Sequence, residues 1–218
     1  MPVSSTYNGF SYDRQNNRLD VYFRGTRVTS FSASGVDLSP VGATLPANQR
    51  TGYIPLPLTG VREIGANDIP NTATNAGGVL AKNTTPILER VNGATDKALR
   101  ITWAANDVDE IVFPSFVYPP DLDDTAPVLV NLVVAKDTNT NTTTNLAVSY
   151  FEGIGDTNAG TSTAAFSVST LATYSVTIAA SDVGASPAVA TIGLTPAAHA
   201  NDAIRLFGAY VSYTRKSS

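Results

Sequence analysis

The chain has 218 residues, of which 43% are hydrophobic and only 15% charged, so it reads as globular rather than disordered. A net charge of −4 gives no basic excess with which to bind a phosphate backbone or an anionic membrane surface, so neither nucleic acid nor membrane is expected as a partner. The absence of cysteine excludes disulfides, thiolate nucleophiles and Cys-ligated metals, and so low a charge count predicts that a partner covers part of the surface.

The opening MPVSSTYNGF has neither a basic n-region nor an apolar core and predicts no cleavable signal. The first strong unit is a β-hairpin in RLDVYFRGTRVTSFSASG. Leu19, Val21 and Phe23 share one face of its first strand and Arg18, Asp20 and Tyr22 the other. Gly25-Thr26 supplies the tight turn, and residues 27–33 return as the partner strand. A lone hairpin is marginal in water, so this segment, 1–35, must lie against the rest of the chain or a partner. From 36 to 86, prolines at 40, 46, 55, 57, 70 and 86 and Gly-Gly at 77–78 interrupt regular structure. That stretch reads as an extended arm or linker with short strands.

After Pro86 period-two alternation dominates and helical periodicity is missing. Candidate strands are 87–91, 98–104, 111–118, 127–136, 145–151, 171–179, 188–194 and 203–213, separated by turn clusters such as NGATD and SDVGASP. The expected fold class is all-β: an eight-stranded antiparallel jelly-roll sandwich over 87–218, preceded by the N-terminal hairpin and the Pro/Gly-rich arm. The greasiest run, APVLVNLVVA, is too short to span a bilayer and is broken by Asn131, which predicts a soluble protein.

Some strands have one wet face. Leu99, Ile101 and Trp103 oppose Arg100 and Thr102, and Tyr174, Val176 and Ile178 oppose Thr173, Ser175 and Thr177. Three others are apolar on both faces. Ile111 and Phe113 lie opposite Val112 and Phe116; Val128, Val130 and Val134 lie opposite Leu129 and Val133; and Ile204, Leu206 and Tyr210 lie opposite Phe207, Val211 and Tyr213. In jelly-roll order, 111–118 and 203–213 are neighbours in one sheet. Val112, Phe116, Ile204, Leu206, Phe207 and Tyr210 are then candidates for an apolar patch. Such a patch is expected to form a homotrimer interface, or to be covered by the arm 36–86.

Few residues suggest chemistry. The only histidine, His199, stands three residues before Asp202, in HAND, which reads as a turn into the last strand. No G-x-S-x-G elbow offers a nucleophile, and no catalytic residue is assigned. Asp121, Asp123 and Asp124 in PPDLDD offer hard oxygen ligands for calcium. They lack the glycine and distal glutamate of an EF-hand loop, so solvated carboxylates and no metal are expected. The cluster NDVDE at 106–110 could join them in glycoside hydrolysis, but aromatic sugar platforms are sparse and the single Trp103 is assigned to the core. DTNTNTTTN at 137–145 is a polar loop, the sequons at Asn83 and Asn141 are taken as chance, and GIGDTNAG lacks the lysine of a P-loop. The expectation is a protein that is not an enzyme and carries no cofactor.

From about Tyr53 onward, YIPLPLTGVREI, ALRITWAANDVDEIVFPSFVYPPDLDD and LTPAAHANDAIRLFGAYVSY resemble the jelly-roll structural proteins of bacteriophage virions. In that group a last strand of the type Asp-x-Ile-x-Leu-x-Gly followed by aromatics recurs. RLDVYFRGTRVTSFSASG is similar to the anchoring segments of capsid- or fibre-associated phage proteins. The resemblance is strongest to capsid decoration (cement) proteins, which are small and trimeric and bridge major capsid proteins with N-terminal arms. It implies a homotrimer on the outer capsid surface of the virion, stabilising the head. Leu19, Tyr22, Phe23, Arg24, Arg27 and Phe31 would contact the major capsid protein. The alternative is a tail fibre, spike or baseplate module that recognises a host glycan or protein.

Overall fold

Alternating apolar and polar residues become strands throughout the chain, as their β-branched and aromatic content dictates. The computed structural model describes residues 9–15, 17–23, 26–32, 35–37, 50–64, 86–90, 98–137, 143–153, 159–167, 169–184, 188–200 and 202–216. They fall into two compact units that divide between Gln49 and Arg50.

The N-terminal unit is an antiparallel meander of four strands, β1 (Gly9–Asp13), β2 (Arg18–Phe23), β3 (Thr26–Ser32) and β4 (Gly35–Asp37). The expected hairpin is β2–β3, and β1 and β4 flank it. Leu19 pairs with Tyr12 on one side and Phe31 on the other, while Phe10 pairs with Val21. Asp20 is buried and accepts Arg18 Nε at 2.9 Å, with Arg27 Nη1 at 3.5 Å. Arg24 and Gly25 lie outside the described residues.

The second unit is an all-β antiparallel sandwich of two sheets. Its strands are β5 (Thr51–Leu56), β6 (Arg62–Glu63), β7 (Ile87–Arg90), β8 (Leu99–Trp103), β9 (Ile111–Val112), β10 (Phe116–Val117), β11 (Val128–Lys136), β12 (Leu146–Glu152), β13 (Thr161–Ser162), β14 (Ala172–Ile178), β15 (Val189–Pro196) and β16 (Ile204–Thr214). The first sheet runs β14-β11-β16-β8-β7, with β5 also on β16; the second runs β13-β12-β15-β9-β6, with β10 also on β15. All eight strands expected after Pro86 are present. The segment 111–118 is split by Pro114 into β9 and β10, which line up along one side of β15.

The core lies between the sheets. Trp103, Ile101, Val130, Leu132, Leu206 and Val211 from the first sheet join Ile111, Val148, Tyr150, Ile192 and Leu194 from the second in one buried cluster. Each large apolar side chain buried there contributes about 1.5–3 kcal/mol. Two buried tyrosines satisfy each other, Tyr150 Oη donating to Tyr118 Oη at 3.2 Å.

Three expectations are corrected by this topology. Residues 51–63, read as part of the arm, belong to the sandwich: β5 pairs with β16 from Thr51↔Thr214 to Leu56↔Ala209, and β6 pairs with β9. The segments 111–118 and 203–213 are in different sheets, so they do not share an outer face. Ile204 and Leu206 are fully buried in the core and cannot form an outer patch. The third error has a physical cause in a β-bulge. Val133 pairs with Gly208 but Val134 with Leu206, which leaves Phe207 as an extra residue and reverses the alternation of β16. Before it Ile204 and Leu206 point inward; after it Ala209, Val211 and Tyr213 do, and Tyr210 turns outward.

Candidate functional site

The outer face of the first sheet carries the most organised set of polar and aromatic side chains. Ser175 on β14 lies opposite Asn131 on β11, which lies opposite Tyr210 on β16. One row along, Leu129 lies opposite Ser212, and Ser212 opposite Tyr53 on β5. Asn131 is buried and links three strands. Ser175 Oγ donates to Asn131 Oδ1 at 2.7 Å, and Asn131 Nδ2 donates to Ser212 Oγ at 2.9 Å and to the Leu129 carbonyl at 3.1 Å. Beside this array the rings of Tyr53 and Tyr210 meet edge-on, centroids 5.9 Å apart, and Tyr53 is 65% exposed.

A hollow of about 120 Å³ adjoins the array, lined by Thr51, Pro127, Leu129, Ser212, Tyr213 and Thr214. Its wall depends on a glycine. A Cβ at position 52 would overlap the Tyr213 ring, so any larger residue there would push that ring aside. Tyr213 Oη donates to Asp121 at 3.1 Å; burial, with that carboxylate, pushes its phenol above the ordinary value of 10.0.

Arg100, Glu89, Arg205 and Asp137, on the rest of this face, pair within the protein. Arg100 Nη2 lies 2.8 Å from Glu89, and the Thr102 hydroxyl donates to the same oxygen at 2.7 Å. Burial pushes the Glu89 carboxyl up, but Thr102 and Arg100 together hold it below the ordinary 4.5. The Arg100 guanidinium also sits 6.0 Å from the Phe207 ring, and Arg205 pairs with Asp137 at 3.0 Å.

His199 lies in the turn before β16, as expected, but it is buried rather than presented to solvent. Its Nδ1 is 2.8 Å from the Ala197 carbonyl and its Nε2 2.8 Å from the Ala104 carbonyl, which ties the loop before β16 to the loop after β8. Both ring nitrogens are thereby occupied, and neither faces a hydroxyl. Asp202, also buried, meets Lys136 Nζ at 2.6 Å. Across the same joint Asn106, held at a φ of 65°, donates from Nδ2 to the Ala200 carbonyl at 3.2 Å.

The three aspartates of PPDLDD face separate partners. Asp121 meets Arg215 at 3.2 Å, Asp124 meets Lys216 at 3.9 Å, and Asp123 accepts from the backbone and hydroxyl of Thr125, which hold it below the ordinary 3.8. Among the described residues no three potential metal-binding side chains converge. In NDVDE, burial raises the Asp109 carboxyl and the Asp107 charge raises it further.

Of the residues proposed to touch a capsid, Leu19 is exposed, Tyr22 is half-buried and Arg27 pairs with Asp20. Phe23 and Phe31 stand in β2 and β3. Of those proposed for a trimer interface, Phe207 and Tyr210 lie on the outer face of the first sheet, and Val112 and Phe116 belong to the second. Tyr53 and Asn131 were legible only in part. Asn131 interrupts an otherwise apolar strand, a signal that could have pointed here, whereas Tyr53 was hidden in a proline-rich stretch.

No protein-family model matches the chain. No curated protein sequence matches it either. Among solved structures, the xylan-binding module CBM15 is 12% identical, with a TM-score of 0.46, over 77% of this chain and 99% of that one. The N-terminal modules of the Clostridium thermocellum xylanase 10B, complexed with xylohexaose, are 12% identical with a TM-score of 0.41, over 78% of this chain and 28% of theirs. The enzymatically active domain of tailspike protein 4 from bacteriophage CBA120 is 10% identical with a TM-score of 0.34, over 71% of this chain and 20% of that one. This chain therefore spans under a third of the xylanase chain and a fifth of the tailspike chain.

Proposed function

We propose that the protein is a glycan-binding module of a phage tail fibre or spike, acting by recognition and not by catalysis. The observation that carries this reading is the Tyr53–Tyr210 pair beside the Ser175–Asn131–Ser212 array on the outer face of the first sheet. A sugar ring has an apolar C–H face that stacks on an aromatic ring and a rim of hydroxyls that exchange hydrogen bonds with amides and alcohols. Both halves of that complement stand side by side here. The support is this chain's own geometry. The phage setting rests on the resemblance of its motifs to virion proteins.

Binding to a broad glycan array by the intact protein and by Tyr53→Ala tests the reading. Tyr53 is exposed on its strand, so its removal leaves the fold in place. The wild type is expected to bind at least one glycan and the variant to lose about tenfold, roughly 1.4 kcal/mol. Absence of any glycan binding overturns the reading. Densitometry of purified virions separates it from capsid decoration, because a spike is present in few copies, whereas a decoration protein appears in proportion to capsid subunits.

A further inference from the structure

Resting on the glycan-binding reading, we infer that this face takes an uncharged oligosaccharide laid across the strands from β14 to β5. The hydrogen-bond chain has a direction. The Leu129 carbonyl only accepts, so the Asn131 atom facing it must be the N–H₂ end of the amide. Oδ1 then only accepts, which makes Ser175 a donor, and Nδ2 only donates, which makes Ser212 an acceptor. The lone pairs of the exposed Ser175 remain to accept from a ligand hydroxyl, and the O–H of Ser212, which is 9% exposed on the wall of the hollow, remains to donate to one.

The spacing sets the length of the ligand. Ser175, Asn131, Ser212 and Tyr53 stand on four adjacent strands, which span about 14 Å at about 4.8 Å per strand, the length of about three hexose units. Charge sets its class. Among the described residues no charged side chain stands on this line, and the flanking Arg100 and Arg205 are neutralised by Glu89 and Asp137. A carboxylate or sulfate on the ligand would shed water here without gaining a counter-ion.

Affinity gel electrophoresis against neutral polysaccharides and against uronate-containing ones tests this, followed by titration with neutral oligosaccharides of increasing length. Retardation by a neutral polymer alone is expected, with affinity rising up to about three units and then levelling. Ser175→Ala and Tyr53→Ala, at opposite ends of the line, should each weaken binding about tenfold while far-ultraviolet circular dichroism keeps the β-sheet spectrum. Retardation by uronate polymers at least as strong as by neutral ones overturns the inference and leaves the glycan reading standing. Loss confined to one end overturns the across-strand placement. Retardation by neither polymer overturns the inference together with the reading beneath it.

Discussion

Lys136 and Asp202 are both fully enclosed, and their side chains meet at 2.6 Å where β11 ends beside the loop that enters β16. Removing one member of such a pair strands a charge in the interior, at a cost of about 3–5 kcal/mol, whereas replacing both by apolar residues of similar volume is often neutral or better. Asp202→Ala should therefore lower stability by about that amount in chemical denaturation, and the double variant Lys136→Met, Asp202→Leu should recover most of it. A double variant no better than the single one would show that the pair contributes more than its mutual neutralisation. His199 completes the same joint through two backbone carbonyls. In the sequence, HAND looks like any exposed turn, because residues that form turns carry no mark of whether the turn is later covered. Burial there is set by loops distant in the chain, Ala104 lying 95 positions from His199.

At the scale of elements, the limits of the sandwich are the testable point. β5 and β6 precede the boundary expected at residue 87, yet Leu56 and Val61 are buried in the core and β5 pairs with β16 over six positions. A fragment of residues 87–218 loses those two apolar side chains, about 1.5–3 kcal/mol each, together with a strand's worth of hydrogen bonds, against a typical total stability of about 5–15 kcal/mol. It should lack cooperative unfolding, while 50–218 should unfold in one sharp transition. Equal transition midpoints for the two fragments would refute this. The eight later strands were legible because alternation survives in a single sequence. β5 was not, because Pro55 and Pro57 read as breakers; among the described residues β5 pairs only with β16, and an edge strand tolerates a proline. The phase reversal at Phe207 went unread for a related reason: a bulge belongs to the pairing of two strands, and the residues of β16 on both sides of it are mostly apolar. That single residue puts Tyr210 on the face opposite to Ile204 and Leu206, where it meets Tyr53 in the candidate site.

At the scale of the whole molecule, the proposed function assigns separate tasks to the two units. The sandwich holds the aromatic and amide face. The N-terminal meander has short strands, exposes Phe10 and Tyr12, and gathers Arg18, Arg27 and Asp20 into one ionic group. Exposed apolar rings of this kind mark interaction surfaces, so the proposal places attachment here. Deletion of residues 1–49 should therefore leave glycan affinity within about twofold of the intact chain, a change of about 0.4 kcal/mol, and abolish incorporation into particles when the truncated protein replaces the full one. Equilibrium binding of the purified truncation and quantification of assembled virions read the two effects separately. If truncation instead removes glycan binding while the sandwich stays folded, recognition does not reside on the Tyr53–Tyr210 face alone. If incorporation survives, attachment runs through the sandwich, and the outer faces of its two sheets must share the work of holding the particle and reading the host.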